Sequence, residues 1–271
     1  MKPKKKYGLL MGDTHCGHLV GLTPESWAVT YSPLSTTKRR KWAYICRALW
    51  SAFDEILHEL PKLDFVVANG DLIDGKGKKS GGTELITSDM NEQCEMAISV
   101  LKHVKKFCKK DAPFFGTYGT DYHSSSDGDE WENIIAKAVL DSIGSHEWIN
   151  VNGCVLDIKH KESSSTVPYS RHTGPAKSGI WNNIWAMRDE QPKADLLIRS
   201  HVHYYSYCET PDYAALTLPA LQGMGSRYGA KQCIGTVDWG VVLIEIFPDG
   251  NFMLHPKLRK IKEQKTKAVV I

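Results

Sequence analysis

Tyr7-Gly8-Leu9-Leu10-Met11-Gly12-Asp13-Thr14-His15 opens the chain's first readable element. The apolar run Tyr7 to Met11 has the length of a buried strand. The Gly-Asp-Thr-His that follows puts two polar side chains, separated by one residue, directly beyond its carboxyl end. On an extended segment Asp13 and His15 point the same way. By itself such an Asp-x-His is weak: a capping aspartate beside a core histidine would look the same.

The pattern then alternates. Trp42, Ile45, Cys46, Leu49, Phe53, Ile56, Leu57 and Leu60 follow helical spacing between about Lys38 and Leu60, and Pro61 stops the helix. Asp64 to Ala68 reads as a strand. Met90, Cys94, Ala97, Leu101 and Val104 mark a helix from Ser88 to Lys109. A strand from Pro113 to Tyr118 and a helix from about Asp129 to Ile143 follow. This strand–helix alternation predicts βαβ units and a largely parallel sheet.

The second half is richer in strands. Trp148 to Val151, Cys154 to Lys159, Thr166 to Ser170, Ala194 to Arg199, Tyr204 to Glu209, Ala214 to Leu218, Gly240 to Phe247 and Asn251 to His255 are strand-like, with a helix over Lys177 to Arg188. Pro248-Asp249-Gly250-Asn251 is a hairpin turn. The expectation is an α/β fold of one domain, residues 1–256: a three-layer sandwich with two packed, mixed β-sheets flanked by helices. A basic C-terminal tail follows over 257–271.

Composition narrows the class. The chain has 271 residues, 42% of them hydrophobic, which suffices for one sizeable core. No apolar run reaches the ~18 residues of a membrane span. The first apolar stretch is too short for a signal peptide, so the cytoplasm is the expected location. The seven cysteines form no Cys-x-x-Cys pair, which points to reduced thiols. Cys16 reads as packing. The net charge of +3 neither demands nor excludes nucleic acid.

Chemistry-bearing residues follow expected strands at five places: Asp13 with His15, Asp71, Asp121 with His123, His172, and His201 with His203. Sites in open α/β sheets form beyond the carboxyl ends of strands, so the five can converge. His201-Val202-His203 after an apolar strand is a common metal-binding spacing.

In that order the blocks resemble the calcineurin-like metallophosphoesterase family. Gly12-Asp13-Thr14-His15 is similar to its first block and Gly70-Asp71 to its second. Gly119-Thr120-Asp121-Tyr122-His123 stands where the family has Gly-Asn-His, His172 is similar to the fourth block, and Ser200-His201-Val202-His203 to the last. The resemblance implies a phosphoesterase with two divalent metal ions. Asp13, His15 and His203 would hold one, His172 and His201 the other, and Asp71 would bridge them. His123 would protonate the leaving oxygen or stabilise charge on the phosphoryl group. The cations would clamp the phosphoryl group and activate a water. Manganese is the first expectation, with iron or zinc as alternatives.

The third block departs from the family. Thr120 replaces the asparagine ligand, and a Thr120 hydroxyl, an Asp121 carboxylate or water could fill its place. Two glycine-rich segments could approach a phosphate substrate: Gly75 to Gly82, with lysines, and Gly223 to Gly229, with Arg227 and Tyr228. The expected activity is phosphodiester hydrolysis on nucleic acid or a nucleotide. The alternatives are a phosphomonoesterase, with Arg171 or Arg227 at the phosphate, and a non-catalytic binding protein that retains the fold.

Overall fold

A computed structural model describes residues 4–27, 37–126, 129–163, 165, 167–224, 236–265 and 268. Its first strand, β1 (Lys6–Met11), alternates its side chains between two cores. Leu9 and Met11 face a helical layer. Leu10 faces a second sheet. The period-two geometry of a strand makes this division unavoidable.

The chain continues through α1 (Thr37–Glu59), β2 (Phe65–Asn69), α2 (Met90–Lys105) and β3 (Phe114–Thr117). Asp89 caps α2, its carboxylate accepting from the amides of Asn91 and Glu92. A helical turn α3 (Asp121–Ser124), a two-residue pair β4 (Ser125–Ser126) and β5 (Asp129–Glu130), α4 (Glu132–Val139) and β6 (Ser142–Gly144) complete the first half. The second half holds β7 (Glu147–Val151), β8 (Cys154–Ile158), α5 (Thr173–Met187), β9 (Leu196–Arg199), β10 (Ser206–Glu209), β11 (Ala214–Thr217), β12 (Trp239–Ile246) and β13 (Phe252–Arg259).

Six strands form one sheet in the order β13-β12-β1-β2-β3-β6, and five form another in the order β10-β11-β9-β8-β7. β1, β2, β3 and β6 are mutually parallel, as are β8, β9 and β11, while β12, β13, β7 and β10 run antiparallel to their neighbours. The two mixed sheets flanked by helices are as expected. The layer count is four rather than three. α1, α2 and α4 cover one sheet, the sheets pack on each other, and α5 contacts β9, β10 and β11.

Three local expectations differ. The helix expected to reach Ile143 ends at Val139, because Leu140 turns extended and Ser142 to Gly144 add to the edge of β3. Val167 to Ser170 is not a strand: Pro168 starts a 3-10 turn through Ser170. Lys257, where the basic tail was expected to begin, lies inside β13, whose pairing with β12 carries the chain in register to Arg259. Among the described residues no helix is long and apolar enough to cross a membrane.

Candidate metal centre

The candidate residues follow the carboxyl ends of five strands, three parallel in one sheet and two parallel in the other. Asp13 follows β1, Asp71 follows β2, Thr120 follows β3, His160 follows β8 and His201 follows β9. Asn69 ties the two sheets together there. Its carbonyl oxygen Oδ1 accepts from the Thr117 hydroxyl at 2.6 Å, and its Nδ2 donates to Ser200 Oγ at 2.8 Å.

Among the described residues three groups of potential ligands result: Asp13, His15 and His203; Asp71, His160 and His201; and His15, Asp74 and His123. Asp13, His15, Asp71, His201 and His203 all adopt positive φ, between 44° and 73°. Left-handed backbone is unfavourable for such residues and persists where surrounding structure imposes it. Here it turns each side chain back over the strand ends.

The hydrogen bonds decide which atoms remain free. Asp13 Oδ2 accepts from the His201 amide at 3.1 Å. Asp13 Oδ1 is buried, 3.2 Å from His203 Nε2 and 3.8 Å from His15 Nε2, with no directed hydrogen bond. His15 Nδ1 faces Asp74 Oδ1 at 3.1 Å, and His160 Nδ1 faces the Asn69 carbonyl at 2.7 Å. Both oxygens accept only, so each Nδ1 carries a proton and each Nε2 is turned toward the centre, that of His15 lying 3.2 Å from His203 Nε2. His160 Nε2 is buried, lies 3.0 Å from Asp71 Oδ2 and likewise lacks a directed hydrogen bond. Orphaned carboxylate and imidazole atoms converging in this way fit divalent cations.

The electrostatics agree. Burial opposes charge on His15, yet the neighbouring Asp13 and Asp74 carboxylates outweigh it and raise its pKa to about 10. Burial likewise opposes charge on His160, and Asp71 raises it to about 9. Burial works against ionisation of Asp13 and Asp71, but the neighbouring imidazoles hold both carboxyls well below the usual range. The field at these positions therefore favours positive charge, whether proton or cation.

The third block adopts an arrangement of its own. The Thr120 amide donates to Asp71 Oδ1 at 2.6 Å, and its hydroxyl donates to the same oxygen at 3.1 Å. Thr120 thus orients Asp71. Its carbonyl then accepts from the amides of His123 and Ser124 at 2.9 Å, starting α3. One helical turn explains the two extra residues between Thr120 and His123: the turn returns His123 to the side of His15, with ring centroids 4.5 Å apart. His123 Nδ1 donates to the Asp74 carbonyl at 2.7 Å, which leaves Nε2 free. Burial, then His15, pushes the His123 pKa down to about 4. Asp121 is exposed at the start of α3.

Backbone packing holds the loops in place. A side chain on Gly119 would meet Asp71 Oδ1 at 2.2 Å, and one on Gly75 would meet the His123 carbonyl at 2.7 Å. Gly75 is thus where the lysine-bearing loop passes beneath His123, while Lys76 and Lys78 are exposed.

Five of the six expected ligands, Asp13, His15, Asp71, His201 and His203, come together. His172 does not join them. It is exposed at the start of α5, its Nδ1 2.7 Å from Ser206 Oγ. His160 lies instead beside Asp71 and His201. His160 follows a strand, β8, whereas the segment before His172 is a 3-10 turn. Asp74, which orients His15, carried no spacing signal. Neither did Glu132, whose two oxygens accept from the Leu72 and Gly119 amides at 2.9 and 2.7 Å and join the second and third loops. Arg227 and Tyr228 lie outside the described residues.

The sequence matches no protein-family model and no curated protein. Among solved structures, the chain is similar to an archaeal phosphodiesterase, with TM-score 0.45 and 11% identity over 92% of this chain and 99% of that one. It is similar to vacuolar protein sorting 29 of Cryptosporidium parvum, with TM-score 0.44 and 13% identity over 94% of this chain and 98% of that one. It is also similar to a conserved uncharacterized protein and predicted phosphoesterase of Streptococcus pneumoniae, with TM-score 0.36 and 10% identity over 94% of this chain and 98% of that one.

Proposed function

We propose that this chain is a metal-dependent phosphoesterase of the calcineurin-like type that hydrolyses a phosphodiester of a nucleic acid or nucleotide. One observation carries the reading: two groups of carboxylate and imidazole atoms, with orphaned buried acceptors in each, meet beyond the ends of five strands. Asp13, His15 and His203 would hold one cation, and Asp71, His160 and His201 the other. Asp71, flanked by both groups, would bridge them. Bound divalent cations, manganese first, would supply Lewis acidity toward a phosphoryl group and a water.

The remaining chemistry belongs to the protein. Thr120 fixes the Asp71 carboxylate. The Asp74 carbonyl holds the His123 Nδ1 proton, so proton exchange with the leaving oxygen falls to Nε2. The arginines described near the site are engaged elsewhere, which supports a diester over a monoester. Arg171 Nη1 donates to Thr236 and its guanidinium lies over Tyr204. Arg199 is buried against Asp157.

Hydrolysis of bis-p-nitrophenyl phosphate and p-nitrophenyl phosphate, with manganese added, tests this. The diester is expected to turn over faster, and His123→Ala to lower its kcat by ~100-fold or more. Preference for the monoester would make the chain a phosphatase. Inertness with manganese, iron and zinc would make it a binding protein.

A further inference from the structure

A pocket of about 340 Å³ opens beside the Asp71–His160–His201 group. It shares His160 with that group and is lined also by Thr120, which holds Asp71, and by Tyr118, Ser145, Lys159 and Lys161. His123 stands at the opposite end of the centre, against His15. The volume lies at the small end of ligand pockets, which run from ~300 to ~1,000 Å³.

Lys159 is placed by backbone hydrogen bonds on both sides. The Lys159 amide donates to the Ile198 carbonyl at 3.1 Å, and the Lys159 carbonyl accepts from Asn69 Nδ2 at 3.3 Å. The same asparagine's carbonyl fixes His160. Among the described residues neither Lys159 Nζ nor Lys161 Nζ has a hydrogen bond or salt bridge, although Lys159 is half-buried. Asp121, exposed, is the acidic residue of the lining. Two ammonium groups without hydrogen bonds or salt bridges, on either side of His160 in sequence and lining one pocket, suit an oxyanion of point-charge character.

We infer that Lys159 and Lys161 bind a second phosphate of the substrate, one linkage away from the phosphodiester that is cleaved. This rests on the phosphodiesterase reading and sharpens it. The substrate class becomes oligonucleotides or terminally phosphorylated dinucleotides, not isolated diesters, and Lys159 and Lys161 become specificity residues.

The test compares thymidylyl-thymidine with its 5′-phosphorylated and 3′-phosphorylated forms, under manganese. One phosphorylated form is expected to show kcat/KM on the order of tenfold higher than the unphosphorylated one, carried by KM. The Lys159→Gln, Lys161→Gln double variant should bring that ratio near one. Lys161→Gln alone, at an exposed side chain, should reduce it and guards against a folding defect in the double variant. Equal rates for all three dinucleotides, or a ratio that survives both substitutions, would overturn the subsite. If no diester is hydrolysed at all, the phosphodiesterase reading fails separately. Calorimetric titration with inorganic pyrophosphate then decides the subsite: about tenfold weaker binding by the double variant supports it, and equal binding removes it.

Discussion

His160 Nε2 lies 3.0 Å from Asp71 Oδ2, although 89 residues separate the two in sequence. Parallel pairing of β8 with β9, and of β1 with β2, brings the loops that carry them together. His172, twelve residues further on, is exposed and bonded to Ser206 instead.

That relationship gives a direct comparison of two histidines. His160→Ala is expected to remove one equivalent of bound manganese and to weaken metal binding by more than ~100-fold, since even outer-shell partners are worth 10–100-fold. His172→Ala should keep both equivalents. Elemental analysis of the dialysed proteins measures each; loss of metal from the His172 variant would reverse the assignment.

Asp74 is expected to act on the centre through His15. Its carboxylate sets the His15 tautomer from the Nδ1 side. Asp74→Asn should lower manganese affinity by roughly 10–100-fold with little change in fold. Equilibrium dialysis against manganese reads the effect, and unchanged affinity would make Asp74 merely a packing residue.

Gly119→Ala should disable the second group without replacing any candidate ligand. The added methyl would meet Asp71 Oδ1 at 2.2 Å and the Asp71 amide nitrogen at 2.4 Å. Overpacking of this kind costs about 1–3 kcal/mol. Urea unfolding gives the stability loss, and metal stoichiometry should fall with it.

Part of the acid sensitivity should arise away from the centre. Arg199 Nη1 donates to Asp157 Oδ1 at 2.6 Å in the buried layer beneath α5, and His146 Nε2 lies 2.9 Å from the same oxygen. Burial opposes ionisation of Asp157, but His146 and Arg199 outweigh it and hold its carboxyl below the usual range. A carboxyl depressed in the folded state stabilises above its unfolded value, about 3.9. That contribution disappears as pH falls through the lower folded value. Wild-type unfolding free energy should therefore drop below about pH 4. Asp157→Asn, which leaves Arg199 buried and unpaired, should cost about 3–5 kcal/mol at pH 7 and shed this part of the acid dependence.

Much was legible in the sequence because it is local. The apolar spacing of Trp42 to Leu60 is a property of one helix, and α1 spans it. Tyr7 to Met11 and Cys154 to Ile158 are short apolar runs bounded by polar residues, and both are strands. Asp13, His15, Asp71, His201 and His203 were exposed to view by the strand before each and by their spacing. What no local pattern carried was who meets whom. His160 sits in the polar run Lys159-His160-Lys161-Glu162, which resembles any surface loop until β8 and β9 pair. Asp74, Glu132 and Thr120 act by hydrogen bonds across loops 13 to 60 residues apart. The sequence by itself determined the elements and most of the candidate ligands. Only tertiary structure placed His160, and not His172, beside Asp71 and His201 and set Thr120 against Asp71, because sheet register and left-handed turns, not residue spacing, set which atoms converge.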